Sequence, residues 1–371
     1  VATIRRAVAG RAIVALLGVL ALATFVVTSL PVFGGALKAE RLARAQRSGH
    51  YEAGRFHNLE PTHKLQPGTL PQMLRQQFFG SEQRVPLHAM PIVPRTGADY
   101  AVPPASGLRA TWIGHASVLI EIDGRRVLVD PIFSQRCSPF DFVGPQRFMP
   151  TPIALEALPR IDAVVISHDH YDHLDMPTIK HLAAKGTHFV VPLGIGAHLE
   201  RWGVAPGQIT DLDWYEDKTL PGLRLTATPA RHYSGRGLLD GDATLWASWV
   251  IAGGQHRVFF SGDSGYSSEF RRIGEKFGPF DLTLIKIGAS DPSWHEIHMS
   301  PEDALRAHQD VRGRLLLPVH WGTFNLAYHA WNEPAERLFA AARSAGTAFV
   351  VPRVGEWVEP HAPRPVETWW R

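Results

Sequence analysis

The chain has one cysteine, Cys137. A lone thiol excludes an intrachain disulfide and any zinc site built on several thiolates, and it suits a reducing or an oxidising compartment equally well. Charge imbalance is missing too. Lys and Arg number 38 against 35 Asp and Glu, a net charge of +3. No large basic surface follows, so nucleic acid is not an expected partner. Between residues 50 and 106, Pro61, Pro67, Pro71, Pro86, Pro91, Pro94, Pro103 and Pro104 exclude long regular elements. Only a short helix near 72–79 has room there. Histidine, by contrast, is abundant, at 19 in 371 residues. Hydrophobic residues at 45% and charged residues at 20% fit a globular chain with a large core.

The histidines concentrate in Ser167-His168-Asp169-His170-Tyr171-Asp172-His173-Leu174-Asp175. This stretch follows Ile161–Ile166, a β-branched run that reads as a buried strand. Ionisable groups buried without partners are too costly, so something must compensate them. A metal does so, and zinc is the usual choice for mixed imidazole and carboxylate ligands. His168 and His170, two apart in an extended loop, face one side. Asp172 and His173 follow and address a second ion. The spacing suits half of a two-metal centre, with ions about 3.5–4 Å apart and a water between them. A solvated polar loop is the competing reading.

Three later strand ends supply the missing ligands. His232 follows Leu225–Thr228, Asp263 follows Val258–Phe260, and His320 follows Leu315–Val319. A lone histidine after a strand is more often structural; the succession of strand ends carries the assignment. His168, His170 and His232 suit one ion, Asp172, His173 and His320 the other, and Asp263 bridges them. His115 reads equally as a turn residue or as a group orienting the ligands. Asp130 reads as an orienting or a buried structural carboxylate.

Strands are expected at 112–122, 126–129, 189–192, 209–214 and 223–228. Helices are expected at 176–185, with Asp175 as its N-cap, at 194–202 and at 301–308. This alternation implies two sheets between outer helices. Phe140, Phe142 and Phe148 are expected in the core, with a wall of the substrate cleft as the alternative. Ala12–Leu30 is apolar apart from Thr24, Thr28 and Ser29. Its 19 residues span about 28 Å as a helix, close to the ~30 Å of a bilayer core. An uncleaved anchor is expected, although Val32–Ala36 resembles a signal-cleavage cluster. Arginines before the run and Lys38, Arg41, Arg44 and Arg47 after it leave the orientation open. Residues 37–49 read as a basic amphipathic helix beside the membrane. The expected organisation is 1–35 anchor or signal, 36–106 Pro-rich extension, 107–360 main domain and 361–371 tail.

The HxHxDH string and the order of its partners resemble the metallo-β-lactamase superfamily, from about Gly107 to Pro360. The resemblance implies an α+β fold, a four-layer αββα sandwich, here preceded by an N-terminal hydrophobic helix. Trp112-Ile113-Gly114-His115-Ala116, Asp130-Pro131-Ile132-Phe133-Ser134, Gly144-Pro145, Phe277-Gly278-Pro279-Phe280-Asp281 and His320-Trp321-Gly322-Thr323-Phe324 are similar to the N-acyl-phosphatidylethanolamine-hydrolysing phospholipase D family and its bacterial envelope relatives. That family implies a phosphodiesterase of membrane phospholipids with two divalent ions, zinc first and Mn(2+) or Fe(2+) as alternatives. It implies substrate contacts at Tyr171 and His298. With His298, Asp172 is the expected catalytic residue. Capping of the 301–308 helix is the competing role for His298. A lactonase or other ester hydrolase on the same centre is an alternative function, and a non-catalytic envelope protein a further one. His170 stands where flavodiiron proteins carry Glu, which argues against oxygen or NO reduction. The expected location is the inner membrane, with the catalytic domain in the periplasm.

Overall fold

The computed structural model describes residues 17, 18, 24 and 26–371. Most of the apolar run Ala12–Leu30 lies outside the described residues. Among those described, no helix is long and apolar enough to cross a membrane. After a 3-10 turn at Pro31–Phe33 come helix α1 (Ala39–Gln46), the small hairpin of β1 (Tyr51–Glu52) and β2 (Arg55–Phe56), and helix α2 (Leu70–Phe79). Strands β3 (Leu108–Gly114), β4 (Ser117–Ile122), β5 (Arg125–Val129) and β6 (Ala163–Val165) follow. Next come α3 (Met176–Ala184), β7 (His188–Pro192), α4 (Ile195–Arg201), β8 (Ile209–Leu212), β9 (Asp217–Leu220), β10 (Leu223–Thr228), β11 (Ser248–Ala252) and β12 (Arg257–Phe260). The chain closes with α5 (Glu269–Phe277), β13 (Leu282–Lys286), α6 (Pro301–Asp310), β14 (Leu316–Val319), α7 (Glu333–Ser344) and β15 (Trp357–Val358).

Side-chain alternation sets the layers. Val118, Ile120 and Ile122 of β4 share a core with Leu225, Ala227, Trp249 and Ile251 of the other sheet. Leu119, one residue out of phase, turns to the opposite face with Leu128, Val164 and Phe189. There it meets Ile179 and Leu182 of α3 and Ile195 and Leu199 of α4. On the far side of the second sheet, Phe270 of α5 packs edge-on against Phe259, and α6 lies on β13. Helices thus cover both outer faces of two stacked sheets.

Strand direction places the site. The first sheet runs β15-β3-β4-β5-β6-β7-β8 and the second β14-β13-β12-β11-β10-β9. β3 and β5 are each antiparallel to β4, and β6 is parallel to β5. His115, Asp130 and the loop beginning at Ser167 therefore leave one edge of the first sheet. β10 and β12 are each antiparallel to β11, and β13 and β14 run parallel to β12. His232, Asp263 and His320 therefore leave one edge of the second sheet. Functional groups at the carboxyl ends of strands are the usual arrangement in sheets with this direction.

Three local features differ from the sequence reading. Asp175 stands at the N-cap of α3, yet its carboxylate makes no cap bond. It accepts instead from Ser134 N at 3.1 Å and Ser134 Oγ at 2.7 Å, tying down the turn after β5. Phe148 packs on the core, but Phe142 is 77% exposed. Residues 361–371 end in the core: Trp370 is fully buried against Trp321 and Phe339, and its Nε1 donates to Glu336 Oε1 at 2.9 Å.

Candidate metal centre

The two sheet edges meet, and all seven expected ligands converge. His168 Nε2 lies 2.9 Å from His170 Nδ1, which lies 3.3 Å from His232 Nε2. Beside this trio, Asp172 Oδ2 is 3.4 Å from His173 Nε2 and 3.3 Å from His320 Nε2. Asp263 Oδ2 stands between the two groups. It is 3.4 Å from His173 Nε2, 3.0 Å from His320 Nε2 and 3.9 Å from His232 Nε2. These residues fit cations on two counts. The nitrogen atoms of the trio face one another, as ligands to one ion do. His173 Nε2, His320 Nε2 and Asp263 Oδ1 are buried with no hydrogen-bond partner, and such atoms are costly unless a cation takes them.

In His168, His173 and His232 the outward nitrogen is held by the fold, which leaves the inward one as a lone pair. His173 Nδ1 is 2.6 Å from Asp130 Oδ2, and His232 Nδ1 is 3.0 Å from Ile297 O. His168 Nδ1 is 2.8 Å from Ser167 Oγ, which in turn donates to Asp130 Oδ2 at 2.5 Å. His115 is no simple turn residue: its Nε2 is 2.9 Å from Asp172 Oδ2. Asp130 and His115 thus orient His173 and Asp172. The two orienting residues, like His320, have positive φ, a conformation that L-residues adopt at a cost and that surrounding structure must enforce. Gly262 also has positive φ, and a Cβ there would meet Ser167 Cβ at 2.5 Å. Only glycine lets the Asp263 loop come this close.

Electrostatics point the same way. Burial disfavours charge on His173, but Asp263, Asp172 and Asp130 outweigh it and hold its pKa well above the ordinary histidine value. Burial also opposes ionisation of Asp172 and Asp263. Neighbouring imidazoles prevail, His173 foremost at Asp172 and His320 at Asp263, so both carboxyls are held well below their usual range. Burial pushes His168, His232 and His298 well below the ordinary value. The three carboxylates around His173 call for positive charge, and a divalent cation answers that call more fully than one proton.

His298 precedes α6 but does not cap it. Ser300 does, accepting from Asp303 N at 3.1 Å. His298 Nδ1 instead points at Asp263 Oδ2, 3.8 Å away. Tyr171 lines the same opening, but its hydroxyl donates to Arg236 O at 2.9 Å. The cage opens into a cleft of about 540 Å³, whose walls include Lys64, Met73, Tyr233, Trp294 and Leu326.

Sequence reasoning missed several supports. Asp169 sits inside the motif and received no role. It accepts from Gly235 N at 2.7 Å and Thr244 Oγ1 at 2.9 Å, with His198 Nε2 at 3.2 Å. Arg236, also buried, donates to Asp169 O at 2.6 Å and Leu174 O at 2.9 Å. Lys286, at the end of an apolar strand, is fully buried and donates to Gly288 O at 2.6 Å. Burial brings its pKa down to about 7 against the pull of Asp263 and Asp172. The only signal for it in the sequence was a lysine at a strand end.

Residues 125–321 match the Beta-lactamase superfamily domain. With this site and this layering, the chain belongs to the metallo-β-lactamase superfamily and is a metal-dependent hydrolase of that class. Among its relatives, N-acyl-phosphatidylethanolamine-hydrolyzing phospholipase D 1 of Caenorhabditis elegans is 37% identical over 293 residues, covering 74% of this chain and 82% of its own. An uncharacterized protein of Mycobacterium tuberculosis is 45% identical over 357 residues, 92% of either chain. Of solved structures, Igni18, a metallo hydrolase from Ignicoccus hospitalis, matches with a TM-score of 0.53 at 25% identity, over 68% of this chain and 97% of its own. The expected likeness to the phospholipase D family is thereby shown.

Proposed function

We propose that the chain is a binuclear zinc phosphodiesterase of the phospholipase D type, acting on N-acyl-phosphatidylethanolamine-like phospholipids. One observation carries the reading: a cleft that joins the cation cage to an ammonium group, Lys64, and to apolar walls at Leu65, Met73, Trp294 and Leu326. A phosphodiester with acyl chains needs all three environments. Relatives named for hydrolysis of N-acyl-phosphatidylethanolamine support the same substrate class.

Two divalent ions held in such a cage would supply an acidified water and would polarise a phosphoryl oxygen. His168, His170 and His232 would hold one, Asp172, His173 and His320 the other, and Asp263 both. The remaining work belongs to the protein. Asp172, fixed by His115 at 2.9 Å, orients the attacking water with its carboxylate. His298, at the cleft wall and kept neutral by burial, contacts the phosphoryl group, and the leaving oxygen takes up the proton that the attacking water gives up. Tyr171 offers its ring and a hydroxyl lone pair, since the hydroxyl proton is committed to Arg236. Lys64 Nζ, 4.9 Å over the Tyr233 ring and paired with Asp242 Oδ2 at 2.5 Å, is the cationic group at the mouth. The run Ala12–Leu30 anchors the chain in the membrane, and reporter fusions after residue 50 test the periplasmic placement.

The deciding assay gives the full chain, loaded with zinc or manganese, both N-acyl-phosphatidylethanolamine and lactones, with products read by mass spectrometry. Release of phosphatidic acid is the expected result. Lactone opening alone would replace the phosphodiesterase with an ester hydrolase. Bound metal without turnover of either would leave a binding protein.

A further inference from the structure

The apolar run joins the domain through a short segment that is seated rather than slack. Trp202 Nε1 donates to Pro31 O at 2.7 Å, Arg236 Nε to Val32 O at 3.1 Å, and Gly35 N to His198 Nδ1 at 2.9 Å. Arg201 donates to Ser29 O. A Cβ on Gly34 would collide with the His198 ring, and one on Gly35 with the Ala197 carbonyl, so the backbone lies flush on α4. Two of these partners reach the metal loop directly. Arg236 binds the Asp169 and Leu174 carbonyls and stacks 4.1 Å over Tyr171; His198 Nε2 faces Asp169. The apolar run therefore ends beside the groups that shape the HxHxDH loop.

On the segments next to the cleft stand large apolar side chains, of which Phe78, Phe79, Phe142 and Leu239 are exposed. Phe33 meets Phe140 edge-on at 6.2 Å, and Phe140 stacks with Phe142 at 5.4 Å, on the loop whose Cys137 and Pro145 line the cleft. Leu239, three residues after Arg236, is 95% exposed. On α2, which lines the cleft through Met73, Phe78 is 73% and Phe79 83% exposed. Apolar surface gathered in this way at one opening marks a contact with something apolar.

We propose that the segment Pro31–Gly35 is a rigid tether that holds the cleft mouth, with its apolar collar, against the lipid bilayer that the upstream run enters. The occupant is the bilayer because the collar begins at Phe33, three residues past the end of a run long enough to cross it. The proposal rests on the anchor reading of Ala12–Leu30 and not on turnover.

The test uses the full chain in nanodiscs. Phe142→Cys, Leu239→Cys and Phe78→Cys, each in a Cys137→Ser background, carry a fluorophore, and doxyl-labelled lipids act as quencher. Gln255→Cys, in the β11–β12 turn at the opposite edge of the second sheet, is the control. Quenching at the three collar positions and none at 255 is expected. Collar labels unquenched in the bound chain would overturn the proposal, as would unlabelled collar cysteines that form a disulfide between two copies when an oxidant is added. In a second arm, a flexible Gly/Ser linker of about 12 residues is inserted between Leu30 and Pro31. Hydrolysis of vesicle phospholipid should fall about tenfold as the mouth loses its fixed position, while a water-soluble phosphodiester is turned over as before. Unchanged vesicle hydrolysis would also overturn the tether. If neither substrate reacts in the unmodified chain, the phosphodiesterase reading fails, and the quenching alone decides the docking.

Discussion

His173 and Asp130, both fully buried, face each other across 2.6 Å. The contact fixes the proton on Nδ1 and turns the Nε2 lone pair inward. Asp130 in turn is held by Ser167 N at 2.7 Å. Asp130→Asn should therefore weaken metal binding by about 10–100-fold without dismantling the fold, as for other partners of metal-bound histidine. Chelator competition measures it. Wild-type affinity in the variant would show that the contact is only structural.

Asp263 Oδ2 reaches both ligand groups, whereas His170 and His320 each belong to one. Metal analysis of three variants separates these roles. His170→Ala and His320→Ala should each lose one equivalent, and His170→Ala all turnover. Asp263→Asn should lower the occupancy of both sites together. Full metal content in His170→Ala would contradict the assignment.

Stability should also depend on a histidine remote from the cage. Burial brings the pKa of His308 down to about 4, with Thr283 Oγ1 2.7 Å from its Nδ1. The unfolded chain takes up this proton near pH 6.5, and the folded chain only near 4. The group's contribution is thus intact above pH 6.5 and is lost as pH falls toward 4, an effect of about 3 kcal/mol. His308→Gln should flatten the acid side of the stability profile relative to wild type. Urea midpoints at pH 7.5 and 4.5 for both proteins give the comparison, in which the metal's own pH dependence cancels.

Trp370 closes the core from the end of the chain, packed on Trp321 and Phe339. Trp370→Ala should cost about 3–5 kcal/mol, in line with other large-to-small core changes. Chemical denaturation reads this directly. A loss near zero would show that residues 361–371 add nothing to the stability of the core.

Legibility followed range. The four ligands from His168 to His173 could be read because their spacing is local and the residue types are unusual after an apolar strand. His232, Asp263 and His320 were legible once each was seen to end a strand of its own. Asp169 was visible but without a role, since its partners His198, Gly235 and Thr244 lie 29 to 75 positions away. Phe142 was misplaced because an aromatic in a loop carries no mark of which way it faces. Asp175 was placed at the right helix end with the wrong partner, because the nearby turn at Ser134 competes for its carboxylate.

The amino-acid sequence alone determined which residues can bind cations and that strands deliver them, because ligand chemistry and side-chain alternation are properties of short stretches. It also determined a run long enough to cross a bilayer. Only the tertiary structure decided that one edge of each sheet meets the other, that Asp263 stands between two ligand groups, and that Arg236 and His198 tie the metal loop to the segment beyond Leu30. Those relations depend on strand direction and on contacts between residues far apart in the chain, which no local pattern encodes.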